Sequence, residues 1–165
     1  MRKSLVLLNC IVLLLTLCSC KKSEVSPKVF GISFVADISY NGERYECETV
    51  IEDRKKTTLT VTSPEDIKGL VITVDGDKKT AEFMGLCYSP KEDNPICALA
   101  QNILDIMSDI SLGGKTAELG DKNCVIKGSK DKKDYIFTFS PAGLPLSLSI
   151  PDSDFEAVFK NVTQI

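Results

Sequence analysis

Apolar and polar residues alternate with period two over much of the chain, and this alternation is the strongest constraint on the fold. In "VFGISFVADISY", the even-numbered positions from Phe30 to Tyr40 are apolar, whereas Asp37 and Ser39 fall on odd-numbered positions. Because successive side chains of a strand point to opposite faces, this pattern predicts a long, half-buried β-strand. Asn41-Gly42 follows, which is the strongest short signal for a β-hairpin. The predicted return strand places these residues on one face: Tyr45, Cys47, Thr49 and Ile51.

The same alternation continues along the chain and predicts ten strands in all. After Leu59 and Val61 it resumes in "LVITV", "TAEFMGLCYS", "KTAEL", "NCVIKG", "KDYIFTFS", "LPLSLSI" and "FEAVFKNV". Short segments such as "SPEDIKG" and "DGDK" separate the early strands and have the composition of turns. Consecutive strands joined by short turns indicate an antiparallel meander.

One segment breaks this pattern and predicts a helix over 94–112. In "NPICALAQNILDIMSDISLGG", Asn94 is a suitable N-cap, Pro95 suits the first helical position, and Gly113 and Gly114 end the segment. Its polar strip is narrow, and its apolar residues cover more than half of the circumference, so the helix should be buried on most of its surface. One helix cannot cover both faces of ten strands. The predicted fold is therefore α+β, a curled antiparallel sheet forming an incomplete β-barrel around one main apolar helix.

The amino-terminal segment has the composition of a signal peptide. Arg2 and Lys3 precede residues 5–17, which are apolar apart from Asn9 and Thr16. The run is shorter than the roughly 20 residues that a transmembrane helix needs. It is therefore interpreted as a targeting signal that is removed.

The end of this run, Leu17-Cys18-Ser19-Cys20, resembles the lipobox of bacterial lipoproteins. The resemblance implies that Cys20 receives the lipid and that residues 1–19 are cut away. Residues 20–28 would then be a tether, and 29–165 a single domain at the outer side of the cytoplasmic membrane or in the periplasm. Two or three acyl chains suffice for stable anchoring. The alternative is an ordinary secretory signal with cleavage elsewhere.

A second resemblance lies in the stretch "LTVTSPEDIKGLVITVDGDKKTAEFMGL", residues 59–86. Its succession of a strand, a Ser-Pro turn, a strand, an Asp-Gly hairpin and a further strand is similar to the central meander of the LolA/LolB-like lipoprotein-carrier superfamily. The resemblance implies an incomplete barrel whose concave apolar face, covered by helices, receives acyl chains or other lipids. The chain has no tryptophan, so the tryptophan-bearing motifs of that superfamily are missing. No functional residue is carried over, and neither Arg44 nor Arg54 is assigned the role of an arginine that fastens a lid.

The residues favour a binding module over an enzyme. The chain contains no histidine, which removes Cys-His and Ser-His machinery and the commonest zinc ligand. "LGGKT" has Asp109 where a phosphate-binding loop needs glycine, and it follows a predicted helix instead of a strand. The net charge of −3 comes with scattered lysines and no basic stripe, which argues against nucleic acid as a partner. No metal site, cofactor or catalytic residue is predicted.

Four cysteines remain after the predicted cleavage: Cys47, Cys87, Cys97 and Cys124. An even number in an exported chain permits two disulfides in three connectivities. The alternative is four free thiols that pack as small apolar residues. We favour free thiols, because Cys47 lies on the apolar face of its predicted strand.

The chain is therefore interpreted as a membrane-anchored, non-catalytic module that binds an apolar or lipid-like ligand. The predicted cavity is formed by Phe30, Ile32, Phe34, Tyr45, Leu99, Ile103, Met107, Phe137 and Phe139. The alternative is an interaction or structural lipoprotein of a membrane complex, whose protein partner the sequence does not name and whose cavity is filled by its own helix. A sizeable apolar void would favour the binding module, and a packed interior would favour the alternative.

Overall fold

The computed structural model describes residues 26–90, 94–120 and 122–165. The predicted signal peptide 1–19, the lipidation site Cys20 and residues 21–25 of the tether lie outside these ranges. The strands are β1 (Ile32–Tyr40), β2 (Glu43–Ile51), β3 (Lys56–Ser63), β4 (Val71–Asp75), β5 (Lys78–Phe83), β6 (Leu86–Tyr88), β7 (Ala117–Leu119), β8 (Cys124–Lys130), β9 (Lys133–Phe139), β10 (Pro145–Ile150) and β11 (Phe155–Gln164). One α-helix, α1 (Pro95–Ser111), joins β6 to β7, and short 3-10 helices cover Glu65–Ile67 and Pro151–Ser153.

All eleven strands belong to one antiparallel sheet in the order β6-β5-β4-β3-β2-β1-β11-β10-β9-β8-β7. The first and last strands pair with each other in the middle of this order, where Ala36 lies opposite Phe159. The two ends of the sheet are β6 and β7, the short strands on either side of α1. The sheet is therefore open. In the sequence, α1 lies between β6 and β7, the two edge strands.

The sheet must curl, because α1 contacts strands that a flat sheet would hold far apart. The helix packs against β3 and β4 and also against β8. In a flat sheet, the seven steps between β4 and β8 would span about 34 Å, whereas a helix of 17 residues is about 26 Å long. The predicted architecture, an incomplete antiparallel barrel around one helix, is thus confirmed.

The sheet has eleven strands, one more than the predicted count of about ten. The predicted strand "TAEFMGLCYS" is two strands, β5 and β6, separated by Met84 and Gly85. Both turn residues have positive φ, 51° and 77°, which is the backbone of a tight two-residue hairpin turn. Gly85, at the second turn position, is a sequence signal for this turn. The first position, however, holds Met84, and methionine rarely adopts positive φ.

The predicted alternation is confirmed in β1 and β2. Ile32, Phe34, Ala36 and Ile38 are buried, and the residues between them are only partly covered. In β2, Cys47, Thr49 and Ile51 are buried on the same inner face, while Tyr45 is half-buried. The inner face of the curled sheet therefore forms the wall of the core.

The helix begins and ends close to the predicted bounds. The Asn94 side chain accepts a hydrogen bond of 3.0 Å from the backbone N–H of Ile96, which satisfies a donor that the first turn leaves free. Gly113 and Gly114 have φ of 79° and 77°, a conformation that is cheap only for glycine. The chain therefore leaves α1 at this glycine pair and turns back into β7.

Replacing Gly42 with Val should lower the free energy of unfolding by about 1–2 kcal/mol. Asn41 and Gly42 form the β1–β2 turn with φ of 52° and 80°, and a β-branched side chain is strained there. No atom lies within 4 Å of the position that a Cβ would take, so the effect would come from the backbone alone. Chemical denaturation would measure it, with Gly42→Asn as the control, since asparagine tolerates this conformation. An unchanged midpoint for Gly42→Val would contradict the turn.

Candidate apolar binding site

Seven of the nine residues predicted to form the cavity lie in the interior, and the other two lie at its border. The seven are at most 4% exposed: Ile32, Phe34, Leu99, Ile103, Met107, Phe137 and Phe139. Phe30 and Tyr45 are partly buried and pack against the edge of this group. The structure therefore brings the predicted residues together, from two regions of the sheet and from the helix.

In this state the helix occupies the space between the walls of the sheet. Eight side chains of α1 are buried, and aromatic rings of the walls pack together, with 4.8 Å between the centroids of Phe34 and Phe159 and 5.9 Å between Phe137 and Phe139. A ligand that uses the same inner surface must therefore displace the helix.

Arg54 ties the carboxyl-terminal half of α1 to one side of the sheet. It lies in the turn between β2 and β3, and its Nη2 donates to the carbonyl oxygen of Ser111 at 3.2 Å. In return, Oγ of Ser108 donates to the carbonyl oxygen of Arg54 at 2.9 Å. A cation at the end of a helix also interacts favourably with the helix dipole. The sequence alone does not indicate this role for Arg54, because Arg54 and Ser108 are 54 residues apart.

A second tie joins α1 to the opposite side of the sheet through Asp109. Its Oδ2 accepts a hydrogen bond of 2.7 Å from Oη of Tyr135 on β9. The same oxygen lies 3.0 Å from Nζ of Lys115, which precedes β7. Nζ of Lys115 also lies 5.7 Å from the centroid of the Tyr135 ring, within the range of a cation–π contact.

The pKa values of Asp109 and Tyr135 are both shifted in this cluster. Burial acts to raise the pKa of Asp109, but the hydrogen bonds from Tyr135 and Lys115 and nearby positive charge outweigh it and leave the pKa lowered. Burial, followed by the hydrogen bond to Asp109 and its charge, raises the pKa of Tyr135. The place that Asp109 occupies therefore favours a negative charge, with two donors directed at one oxygen.

Gly128 makes room for this arrangement. It lies opposite Tyr135 in the β8–β9 pair, and a Cβ at this position would be 2.4 Å from both Cζ and Oη of Tyr135. The tyrosine ring therefore lies against bare backbone, which lets its hydroxyl reach Asp109.

The polar strip of α1 contains one further, half-buried pair. Nε2 of Gln101 donates to Oδ1 of Asp105 at 2.7 Å, while Oε1 of Gln101 is buried without a partner among the described residues. Burial is the main cause that raises the pKa of Asp105, against the hydrogen bond from Gln101. The polar groups of Gln101 and Asp105 therefore have fewer hydrogen-bond partners than the carboxylate of Asp109.

The four cysteines of the domain are free thiols, as favoured from the sequence. Cys47, Cys97 and Cys124 are buried and Cys87 is exposed. Burial raises the pKa of Cys47 to about 12, so this thiol stays protonated and unreactive at neutral pH. Within the described ranges, no three Cys, Asp or Glu side chains lie close enough together to hold a metal ion.

A groove of about 340 Å³ lies on the outer face of the sheet, away from α1. Its polar lining includes the carboxylates of Asp37, Glu46 and Glu156 together with the guanidinium of Arg44. Asp37 also forms an ion pair with Lys160. Val158 is 49% exposed in this groove, so the groove has both charged and apolar side chains.

The fold is similar to solved structures, although the sequences differ widely. An uncharacterized conserved protein from Thermus thermophilus aligns with a TM-score of 0.51 and 6% identity, covering 88% of this chain and 82% of that chain. A LolA superfamily protein from Nitrosomonas europaea aligns with a TM-score of 0.44 and 9% identity, covering 86% of this chain and 89% of that chain. No family model and no curated protein sequence matches the chain. The first similarity is one of fold alone.

Among the residues that the structure describes, no helix combines the length and the apolar character needed to span a bilayer.

Proposed function

We propose that the chain is a membrane-anchored lipoprotein and a non-catalytic binding module of the LolA type, which takes up an apolar or lipid-like ligand inside its open barrel. The observation that carries this proposal is the position of α1. It is the one α-helix of the described residues, and it packs against β3, β4 and β8, on the two sides of an eleven-stranded sheet whose edges do not meet. We call this helix the lid.

The lid can open only if something apolar replaces it. Exposing the six largest buried side chains of α1 to water would cost about 9–18 kcal/mol, at about 1.5–3 kcal/mol each. A sixteen-carbon acyl chain that leaves water gains about 12 kcal/mol, at about 0.8 kcal/mol per methylene. The two quantities are of the same order, so a long apolar ligand is the chemistry that matches this interior.

The ties to Arg54 and Asp109 support the role of α1 as a lid. Both lie in the last turns of the helix and next to the glycine pair Gly113–Gly114. The Arg54 contacts are exposed and open at a lower cost than buried apolar contacts, whereas the buried hydroxyl of Tyr135 needs another acceptor once Asp109 leaves. The absence of histidine from the sequence supports the non-catalytic part of the proposal.

The anchor is proposed from the sequence, with Cys20 as the lipidated residue and residues 20–28 as the tether. Lys28 donates its backbone N–H to the carbonyl of Gly143 at 2.7 Å, which fixes the end of the tether beside the β9–β10 turn. Fully extended, the eight residues 21–28 reach about 26 Å. The domain would then work close to its own membrane, on the outer side of the cytoplasmic membrane or in the periplasm.

Replacing Cys20 with Ala should abolish metabolic labelling of the protein with a fatty acid and leave an unprocessed precursor. The reason is that the thiol of Cys20 accepts the lipid before the signal is cut. Gel mobility and autoradiography would measure both effects, and Cys18→Ala is the matched control because Cys18 lies in the discarded segment. Labelling that persists without Cys20, or that disappears without Cys18, would show that Cys20 is not the lipidated residue.

By the criterion set in the sequence analysis, the filled interior favours the second candidate function, an interaction lipoprotein of a membrane complex. Its binding surface would be the groove on the outer face, lined by Arg44 and three carboxylates. Native mass spectrometry of protein purified from its own membranes distinguishes the two. A co-purifying lipid supports the binding module, whereas a co-purifying protein and no lipid supports the alternative.

A further inference from the structure

We propose that the ligand is an amphiphile with an anionic head group, a carboxylate or a phosphate, which replaces the Asp109 carboxylate between Tyr135 and Lys115 when the lid opens. This inference rests on the proposed function and names the chemical class of its ligand.

In the sequence, Asp109 precedes the glycine pair, whereas Lys115 and Tyr135 follow it. Asp109 belongs to the lid, whereas Lys115 follows Gly113–Gly114 and lies shortly before β7. Tyr135 lies within β9 and pairs with Gly128 on β8. A movement of the lid about the glycine pair therefore removes the carboxylate and leaves both donors on the wall.

The two donors left behind require an acceptor. Tyr135 is 1% exposed, and a buried hydroxyl that loses its partner is costly. The ammonium group of Lys115 loses its counter-charge in the same step. Both groups bond to the same oxygen of Asp109, at 2.7 and 3.0 Å, so one anionic oxygen of a ligand can satisfy them together. A neutral alcohol offers an acceptor but no charge.

The head-group position continues into the apolar interior. Tyr135, Phe137 and Phe139 are alternate residues of β9 and are all buried. An anionic head at Tyr135 would place the start of an acyl chain beside the ring of Phe137, on the surface that the lid has left. Lys130, at the end of β8, adds positive charge near this position, partly offset by Asp131, whose Oδ2 lies 3.8 Å from Nζ of Lys130. The surroundings of the opened site thus combine cations at its rim with hydrocarbon behind them.

The test uses the full lipidated protein in phosphatidylcholine nanodiscs and three photoreactive probes with the same sixteen-carbon chain. The probes are a fatty acid, a lysophosphatidic acid and a fatty alcohol, each with a diazirine in the chain, and labelling of interior peptides is measured by mass spectrometry. The readout is the ratio of anion labelling to alcohol labelling, because this ratio cancels any general loosening of the lid.

We expect the ratio to fall about tenfold in Lys115→Gln and in Tyr135→Phe, since each change removes one hydrogen bond to the anion. Asp109→Asn keeps both donors and should not lower the ratio. Lys127→Gln is the matched control, because Lys127 is exposed and pairs with Glu118 at 3.2 Å. The fatty acid and the lysophosphatidic acid show whether the carboxylate or the phosphate is preferred.

If the interior is labelled but the ratio is the same in all variants, the anionic head group is wrong and the proposed function stands. If no probe labels the interior of the wild-type protein, the proposed function itself fails.

Discussion

Replacing Ile103 with Asp should lower the free energy of unfolding by about 4 kcal/mol or more. Ile103 is fully buried in the middle of α1, so the substitution would place a carboxylate against hydrocarbon with no partner. Whole domains are stabilised by about 5–15 kcal/mol, so this loss would remove at least about a quarter of the stability of the domain. Thermal and urea unfolding followed by circular dichroism would measure the loss.

Asn102→Asp provides the control for this change. Asn102 is the neighbouring residue on the same helix but is only partly buried, so the same charge there should cost far less. Equal effects of the two substitutions would contradict the burial of Ile103 against the sheet. The substitution does not separate a lid from a permanent core, because both require an apolar residue at this position.

Replacing Gly128 with Ala should lower the free energy of unfolding by about 2–3 kcal/mol and break the hydrogen bond between Tyr135 and Asp109. The new Cβ would lie 2.4 Å from the end of the tyrosine ring, so the ring must move away. Urea denaturation would measure the stability, and the tyrosine absorbance would report the change around its hydroxyl.

A double-mutant cycle identifies the cause. In a Tyr135→Leu background the ring is gone, and Gly128→Ala should then cost much less than in the wild type. If the two substitutions are additive, the close approach of Gly128 and Tyr135 does not explain the effect.

Elements that depend on local sequence could be predicted. The alternation of β1 and β2 follows from a period of two residues, and the turn at Asn41-Gly42 follows from the backbone freedom of these two residues. The bounds of α1 follow from Asn94, Pro95 and the glycine pair. Each signal acts within a few residues, so no knowledge of the remaining chain was needed.

Contacts between distant segments could not be predicted. The pairing of β1 with β11 joins the two ends of the domain, and the tie of Ser108 to Arg54 crosses 54 residues. The sequence marks Asp109 only as a residue that a phosphate-binding loop does not allow. Its role depends on Tyr135, which lies 26 residues away and reaches it because of Gly128. A single sequence contains no signal for such pairings.

The predicted cavity residues are an intermediate case. Periodicity assigned Ile32 and Phe34 to an inner face and Ile103 and Met107 to a buried helix face, and the structure brings these faces together. Whether this surface binds a ligand depends on the cost of moving the lid, which no sequence pattern reports. Ligand binding by this surface stays a prediction.

A disulfide that locks the lid tests ligand binding most directly. Arg54→Cys and Ser108→Cys place thiols where side chain and backbone approach to 2.9 Å, and Cys87→Ser removes the exposed native thiol. The oxidised protein should fail to take up a fluorescent fatty acid, and reduction should restore uptake, with the reduced protein and each single-cysteine variant as controls. Equal uptake by the locked and reduced proteins, or no uptake by either, would contradict the lid and leave the interaction lipoprotein as the better description.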